Sequence, residues 1–327
     1  MTRPKAAATV ALKLPDPLAV ADRLSDGLRD EVLRTRRRGV VVGLSGGVDS
    51  SVVAGLAARA VGPDRVLGVI MPERESDPES LPLARAVARH FGIKALVEDV
   101  TGTLEALGCY VRRDAAFASA LPAFGPGWRG KLVAQPRVEG GAFQLTRLVA
   151  VSPDGREEQV RLPATAYRAA LAASNYKQRV RTMVLYHHAE RLHHLVAGTP
   201  NRIEFEQGFF VKHGDGAADV KPIARLLKTH VYQLADLLGV PEAVVGRPPT
   251  TDTFPLPQSQ GEFYFGAPFD AVDAATVALD EGDTAERLAA ALSTHAAAAE
   301  RLLEDVQAKR RAASFLHAPA VLLEPWG

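Results

Sequence analysis

Apolar positions along this chain keep two rhythms. Between residues 16 and 38, Leu18, Ala21, Leu24, Leu28 and Val32 recur near three- and four-residue steps, which predicts an amphipathic helix. Val40, Val41 and Val42 then form an unbroken β-branched run, a short buried strand. In "SVVAGLAARAVG", Val53, Ala54, Ala57, Ala58 and Val61 return to helical spacing, and Gly62 stops the helix. "RVLGVIMPE" reads as a second strand, "ESLPLARAVARHFGI" as a helix and "KALVEDV" as a third strand. This alternation predicts an α/β fold, a parallel sheet wound on both faces.

The rhythm breaks between 125 and 163. Glycines and prolines interrupt it, and polar-apolar strands flank Asp154 and Gly155, so an inserted β-hairpin outside the parallel sheet is expected. Helical patterning resumes near Tyr167, and "HHLVAGT" (193–199) returns to the sheet. A helix is expected over 222–239, opened by Pro222 and closed by Gly239. Beyond Asp270 the chain is alanine-rich and helical to about Ala313. The expected layout is an N-terminal helix (1–38), an α/β domain (39–275) carrying the insertion, and a C-terminal helical segment (276–327).

The strand-to-helix junction "GLSGGVDSS" (43–51) carries the clearest chemistry. Gly46 and Gly47 permit a tight turn and close ligand approach. Helix amides and their dipole favour an anion there, and Ser45, Ser50 and Ser51 bring hydroxyls. The loop lacks the lysine of a G-x-x-x-x-G-K-S/T phosphate loop and is no G-x-G-x-x-G either. Sheets of this kind bind ligands at the carboxyl ends of their strands, where Ser45–Ser51 and Met71–Pro72 both fall.

Composition narrows the class. With 39 basic against 38 acidic residues, no global charge argues for nucleic acid. The dense basic run Arg34, Arg36, Arg37, Arg38 ends a predicted helix, where cations suit the dipole. One cysteine, Cys109, excludes an intrachain disulfide and a multi-cysteine zinc site. The opening residues lack a signal-peptide core, and no apolar run spans a membrane, so a cytoplasmic enzyme is expected.

The S-G-G-x-D-S pattern resembles the pyrophosphate loop of N-type ATP pyrophosphatases. Together with "NYKQRVR" (175–181), "VAGTPNRIEFEQGFFVKHGDGAADVKPIARLLKTHVYQLADLLGVP" (196–241) and "RPPTTD" (247–252), it resembles the NAD synthetase family. The resemblance covers roughly 39–105 and 172–275, with a weaker tail to about 311. It implies an adenine nucleotide alpha hydrolase-like, Rossmann-like fold. It also implies an ammonia-dependent amide ligase that adenylates the nicotinate carboxylate of deamido-NAD with ATP and lets ammonia displace AMP. The ATP contacts it implies are Gly43, Ser45, Gly46, Gly47, Asp49, Ser50, Ser51, Thr199, Lys228 and Thr250, with Asp49 and Lys228 catalytic. Asp49 and Glu204 would hold Mg²⁺, an oxygen-seeking ion that bridges phosphates. Arg179, Lys212, Asp219 and Lys309 would meet deamido-NAD. A homodimer is implied too.

Several positions depart from the family pattern: Thr182, the stretch 252–270, Ala308 in "AKRR", and the large insertion. They motivate an alternative, a ligase of the same fold acting on a different carboxylic acid. A sulfur-transferring tRNA enzyme would need more than one cysteine, and an inactive nucleotide-binding regulator would have no use for both Asp49 and Glu204. Thirty-eight residues before the first strand cannot hold a glutaminase, so free ammonia, or ammonia from a separate glutaminase, is expected.

Overall fold

A computed structural model of the chain describes residues 12–134, 146–251 and 253–323. The opening residues 1–11 and the stretch 135–145 of the expected insertion lie outside these. Helix α1 (Pro17–Arg34) starts at Asp16, whose carboxylate accepts from the Ala19 amide at 3.0 Å, and it ends four residues short of the expected 38. Strand β1 (Val40–Gly43) leads into α2 (Val48–Val61), β2 (Val66–Ile70), α3 (Ser80–His90) and β3 (Lys94–Val97). Helices α4 (Thr101–Ala106) and α5 (Cys109–Ala118) follow. Strands β4 (Arg129–Ala134), β5 (Thr146–Val151) and β6 (Glu157–Arg161) form a separate antiparallel sheet. After α6 (Ala164–Ser174) and α7 (Tyr176–Leu192), β7 (Leu195–Ala197) returns to the first sheet.

The main sheet is parallel in the order β3-β2-β1-β7. Alternation along β1 divides its cover. Val40 and Val42 pack with α1, α2 and α3, while Val41 packs with Tyr110 of α5 and Val180 and Ala189 of α7. The sheet is thus wound on both faces, as the alternating pattern predicts. Its outer strand β3 is exposed at every residue, including Leu96 and Val97.

The chain order reverses between β1 and β7, so the two loops leaving these strands diverge and open a crevice at their carboxyl ends. Six helices follow β7: α8 (Arg202–Gln207), α9 (Lys228–Leu237), α10 (Glu242–Val245), α11 (Phe269–Glu281), α12 (Ala285–Leu292) and α13 (Ala296–His317); of these α8, the start of α9 and the end of α13 reach the crevice. The helix expected over 222–239 begins only at Lys228. Its first amides, of Lys228 and Thr229, donate to Asp273 at 3.2 and 2.8 Å, a cap supplied from α11 and invisible locally. The alanine faces of the last three helices are spent internally: Ala274, Ala275, Ala278, Ala289 and Ala299 share one core with Ile203 and Leu227.

The insertion is larger than a hairpin. The turn at Asp154 and Gly155 is present, with Gly155 at φ +85°, but β5 is the centre of three strands. Leu132 and Leu148 pack with Phe117 of α5, Ala166 and Ala170 of α6, and Phe254. Two departures from the family pattern therefore meet in space. Lys131 Nζ of β4 lies 2.8 Å from Glu262 and donates to Pro257 O at 3.0 Å, and the Gln258 amide donates to Leu132 O. The insertion and the stretch 254–265 make one wall.

Candidate active site

The loop after β1 is shaped by Gly46 at φ +77°. A Cβ there would stand 2.6 Å from Ser80 O, so only glycine fits. Gly47 caps α2 with no side-chain hydrogen bond, which leaves first-turn amides for an anion. The serines divide their work. Ser45 Oγ accepts from the Gly47 amide at 3.2 Å and lies 3.1 Å from Ser50 Oγ. Ser51 is fully buried and donates to Gly47 O at 2.8 Å, so it braces the loop.

Asp49, in the first turn of α2, points across the crevice to residues that follow β7. The Asn201 amide donates to Asp49 Oδ1 at 3.0 Å, and the Lys228 ammonium pairs with Oδ2. Asn201 also caps α8: its side chain accepts from the Glu204 amide at 3.2 Å, while the Glu204 carboxylate accepts from the Asn201 amide at 3.0 Å. Asn201 is fully buried, Lys228 nearly so, and Glu204 is 7% exposed. Reading the candidates one by one missed Asn201, yet the N-x-x-E spacing in "NRIE" is a helix-start signal that contains it.

Burial and the charge of Asp49 raise the Glu204 carboxyl to about 8, against the opposing pull of Lys228. Burial works against the Lys228 ammonium, yet Asp49 and Glu204 together hold its pKa above the ordinary value. Two carboxyl groups thus face one ammonium, and Glu204 becomes a carboxylate at neutral pH only when a further cation joins them. This acidic excess, with hard oxygen donors, fits a divalent cation that keeps waters and phosphate oxygens as its other ligands.

These groups line a cavity of about 840 Å³. Gly43, Ser45, Gly47, Asp49 and Ser50 enter it from the end of β1, its loop and the first turn of α2. Thr199, Glu204 and Lys228 enter from beyond β7, and Thr250 from the segment after α10. Arg179 and Lys212 line another part; both Nε and Nη2 of Arg179 reach Lys212 O at 3.4 Å. Lys212 Nζ donates at 2.9 Å to the carbonyls of both Phe315 and Ala318, so the end of α13 closes that side.

Four sequence candidates are not on the cavity wall. Gly46 and Ser51 lie behind the loop they shape. Asp219 accepts from the Val196 amide at 2.8 Å and the Tyr186 hydroxyl at 3.3 Å, bracing β7. Lys309 is buried in the helix packing and donates to Tyr264 O at 2.8 Å, Phe265 O at 3.3 Å and Asp305. From α13 it is Phe315 and Leu316 that reach the cavity. Cys109 is buried, with its thiol donating to Ala173 O at 3.2 Å, and burial pushes its pKa up, the opposite of a nucleophile's need. Among the described residues, no helix is long and apolar enough to cross a membrane.

Comparison with known proteins agrees with this geometry. The sequence model of the NAD synthase family matches residues 20–120 and 142–313. The chain is 49% identical over 310 residues to an NH(3)-dependent NAD(+) synthetase of Rhizobium meliloti, covering 95% of this chain and 93% of that one. It is 51% identical over 308 residues to one of Mesorhizobium japonicum, covering 94% and 97%. Among solved structures, NMN synthetase from Francisella tularensis shares the fold at TM-score 0.64 and 22% identity, covering 94% of this chain and 98% of that chain. The NH3-dependent NAD synthetase of Campylobacter jejuni, solved with a nitrate ion, does so at TM-score 0.62 and 20% identity, covering 94% and 100%. By sequence match and by fold, this chain belongs to the NAD synthase family.

Proposed function

We propose that this protein is an ammonia-dependent NAD synthetase. The observation that carries the reading is the set Asp49, Asn201, Glu204 and Lys228, the last three buried, assembled at the mouth of a lysine-free phosphate loop. The α2 amides and the Ser45 and Ser50 hydroxyls hold the β- and γ-phosphates of ATP. Asp49 and Glu204 hold Mg²⁺, which when bound offsets phosphate charge. Lys228 adds a fixed positive charge in a water-poor site, where it acts strongly on negative charge that develops during reaction.

The nicotinate carboxylate of deamido-NAD attacks the α-phosphorus, the bond to the bridging oxygen breaks, and pyrophosphate leaves. Ammonia then attacks the acyl carbon, loses a proton, and AMP departs. Arg179 supplies a planar guanidinium for the dinucleotide phosphates and Lys212 a point charge. Thr199 and Thr250 contribute hydroxyls to the ATP side. Lys309 reaches substrate only by leaving three acceptors. Nitrogen arrives as ammonia, free or from a separate glutaminase, because the single cysteine is inert.

The test is direct. The protein is incubated with ATP, Mg²⁺ and ammonium, with and without deamido-NAD. NAD, AMP and pyrophosphate in equal amounts support the reading; ADP and phosphate overturn it. One observation favours a second reading: the wall built by the insertion and residues 254–265 carries the departures from the family pattern. A ligase for a different acid would show AMP release with that acid alone, and nicotinate mononucleotide belongs in the screen. A cytoplasmic homodimer completes the proposal. Leu96 and Val97 on β3, and Leu107 and Val111 beside them in sequence, leave apolar surface for a second copy. Sedimentation that finds an active monomer would remove the dimer.

A further inference from the structure

Lys177 sits near the start of α7 and is 1% exposed, yet it takes no part in the chemistry above. Its ammonium donates to Glu73 Oε1 at 2.7 Å, Glu75 Oε2 at 2.8 Å and Thr253 O at 2.8 Å. An ammonium has three protons, and all three are used. The acceptors belong to two segments that run separately into the cavity. Glu73 and Glu75 open the loop between β2 and α3, which lines the cavity through Glu73, Ser76 and Ser80. Thr253 lies three residues beyond Thr250, and both line it too.

Helix α5 completes the cluster. Arg113 grips both oxygens of Glu75, and the Tyr110 hydroxyl donates to Glu73 Oε2 at 2.7 Å. A second tie joins the same two segments, since Arg247 meets Asp77 at 2.7 Å. Burying this many charges is costly, and well-packed apolar side chains would join the same elements at less cost. What ions and hydrogen bonds add is direction: each fixes a particular oxygen at a particular distance. Both tied segments lie on the ATP side, beside the phosphate loop and around Thr250.

We infer that Lys177 is a positioning residue for the nucleotide half of the site, holding the 73–80 loop and the 250–253 segment at the spacing ATP requires. The inference rests on the proposed ATP-dependent reaction. It concerns how the two walls are registered: Lys177 borders the cavity, but all three of its protons are held by Glu73, Glu75 and Thr253.

The experiment compares the wild type with Lys177→Met and with the double variant Glu73→Gln/Lys177→Met. The double variant removes one charge of each sign and leaves the Arg113–Glu75 pair whole. Four quantities are read: Tm, direct ATP affinity by calorimetry, and KM for ATP and for deamido-NAD. Lys177→Met should lower Tm, because a buried carboxylate loses its cation. It should also weaken ATP affinity and raise its KM by about tenfold or more, as misplaced walls do, with the deamido-NAD KM within about twofold. The double variant should recover most of the lost Tm while its ATP affinity stays about tenfold weak.

Recovery of Tm and ATP affinity together would show that the cluster serves only stability and would overturn the inference. Equal rises in both KM values would overturn it as well. If Lys177→Met fails to fold, the double variant decides alone. Calorimetric ATP affinity needs no acid substrate, so failure of the inference appears there, whereas failure of the proposed function appears as no NAD from the wild type.

Discussion

Lys228 and Asp49 stand 179 residues apart in the chain and meet as an ion pair whose lysine is 1% exposed. Asp49 comes from the first turn of the helix after β1, Lys228 from the helix that Asp273 caps. The pair is both a structural weld and half of the proposed chemistry, and substitution should separate the roles. Lys228→Met leaves the buried Glu204 and the half-buried Asp49 without this cation and should cost about 3 kcal/mol in urea unfolding. Asp49→Asn keeps hydrogen-bonding capacity and leaves the Lys228 ammonium with Glu204 as counter-charge, so it should cost less than Lys228→Met, while AMP release falls by about 100-fold or more. Wild-type turnover in Asp49→Asn would remove Asp49 from the site.

Glu204→Gln retains the reciprocal cap with Asn201, since glutamine serves the same position. The fold should therefore persist. The missing charge should raise the Mg²⁺ concentration for half-maximal AMP release by about tenfold or more, because an oxygen-seeking ion loses an anionic donor. An unchanged Mg²⁺ titration would place the ion elsewhere.

Gly46 and Gly62 share a positive φ, +77° and +84°, but differ in surroundings. Alanine at either should cost about 1–3 kcal/mol for the backbone alone. At Gly62 nothing lies within 4 Å of the new methyl, so ATP cleavage should be kept. At Gly46 the methyl meets Ser80 O, the phosphate loop must shift, and cleavage should collapse. Equal activity in the two variants would contradict the close approach.

Burial, aided by the nearby charges of Arg38 and His193, holds the His194 imidazole below its ordinary pKa of 6.5. The folded protein then keeps His194 neutral where the unfolded chain has already taken up a proton. Stability is full above pH 6.5 and falls as pH drops below it. His194→Asn should abolish this share of the slope, read as the difference in denaturant midpoint between the two proteins from pH 7 to pH 5. Parallel slopes would show that His194 titrates alike in both states.

Lys309→Met should cost roughly 1–3 kcal/mol, since three acceptors lose their donor. The deamido-NAD KM should stay within about twofold, because the ammonium does not reach the cavity. A large rise in that KM with unchanged Tm would return Lys309 to the substrate.

The β1 loop was legible because its signals are local: a β-branched run, two glycines, a helical stripe. The four parallel strands were legible for the same reason. What local patterns do not reach is long-range in each case. Pro222 looks like a helix opener, but the cap is Asp273, 45 residues beyond Lys228. Lys309 follows the family's order of residues, but Tyr264 O and Phe265 O claim its ammonium, and no spacing rule contains a carbonyl 45 residues away. Lys177 carries no local signal at all; its place depends on Glu73, 104 residues earlier, and on a main-chain oxygen. Asn201 was within reach of local rules, since it caps the helix that carries Glu204.

The reversal of chain order between β1 and β7 governs when the site comes into being during synthesis. Asp49 and its partner Asn201 are 152 residues apart, and the whole antiparallel sheet is made between them. A ribosome releases the glycine loop early, but the second carboxylate and the ammonium arrive only after β7 has paired with β1. Non-local parallel pairing of this kind is slow to form. The half-made chain thus carries the glycine loop with neither Lys228 nor Glu204 behind it, and the site described above is complete only when the last half of the protein has closed on the first.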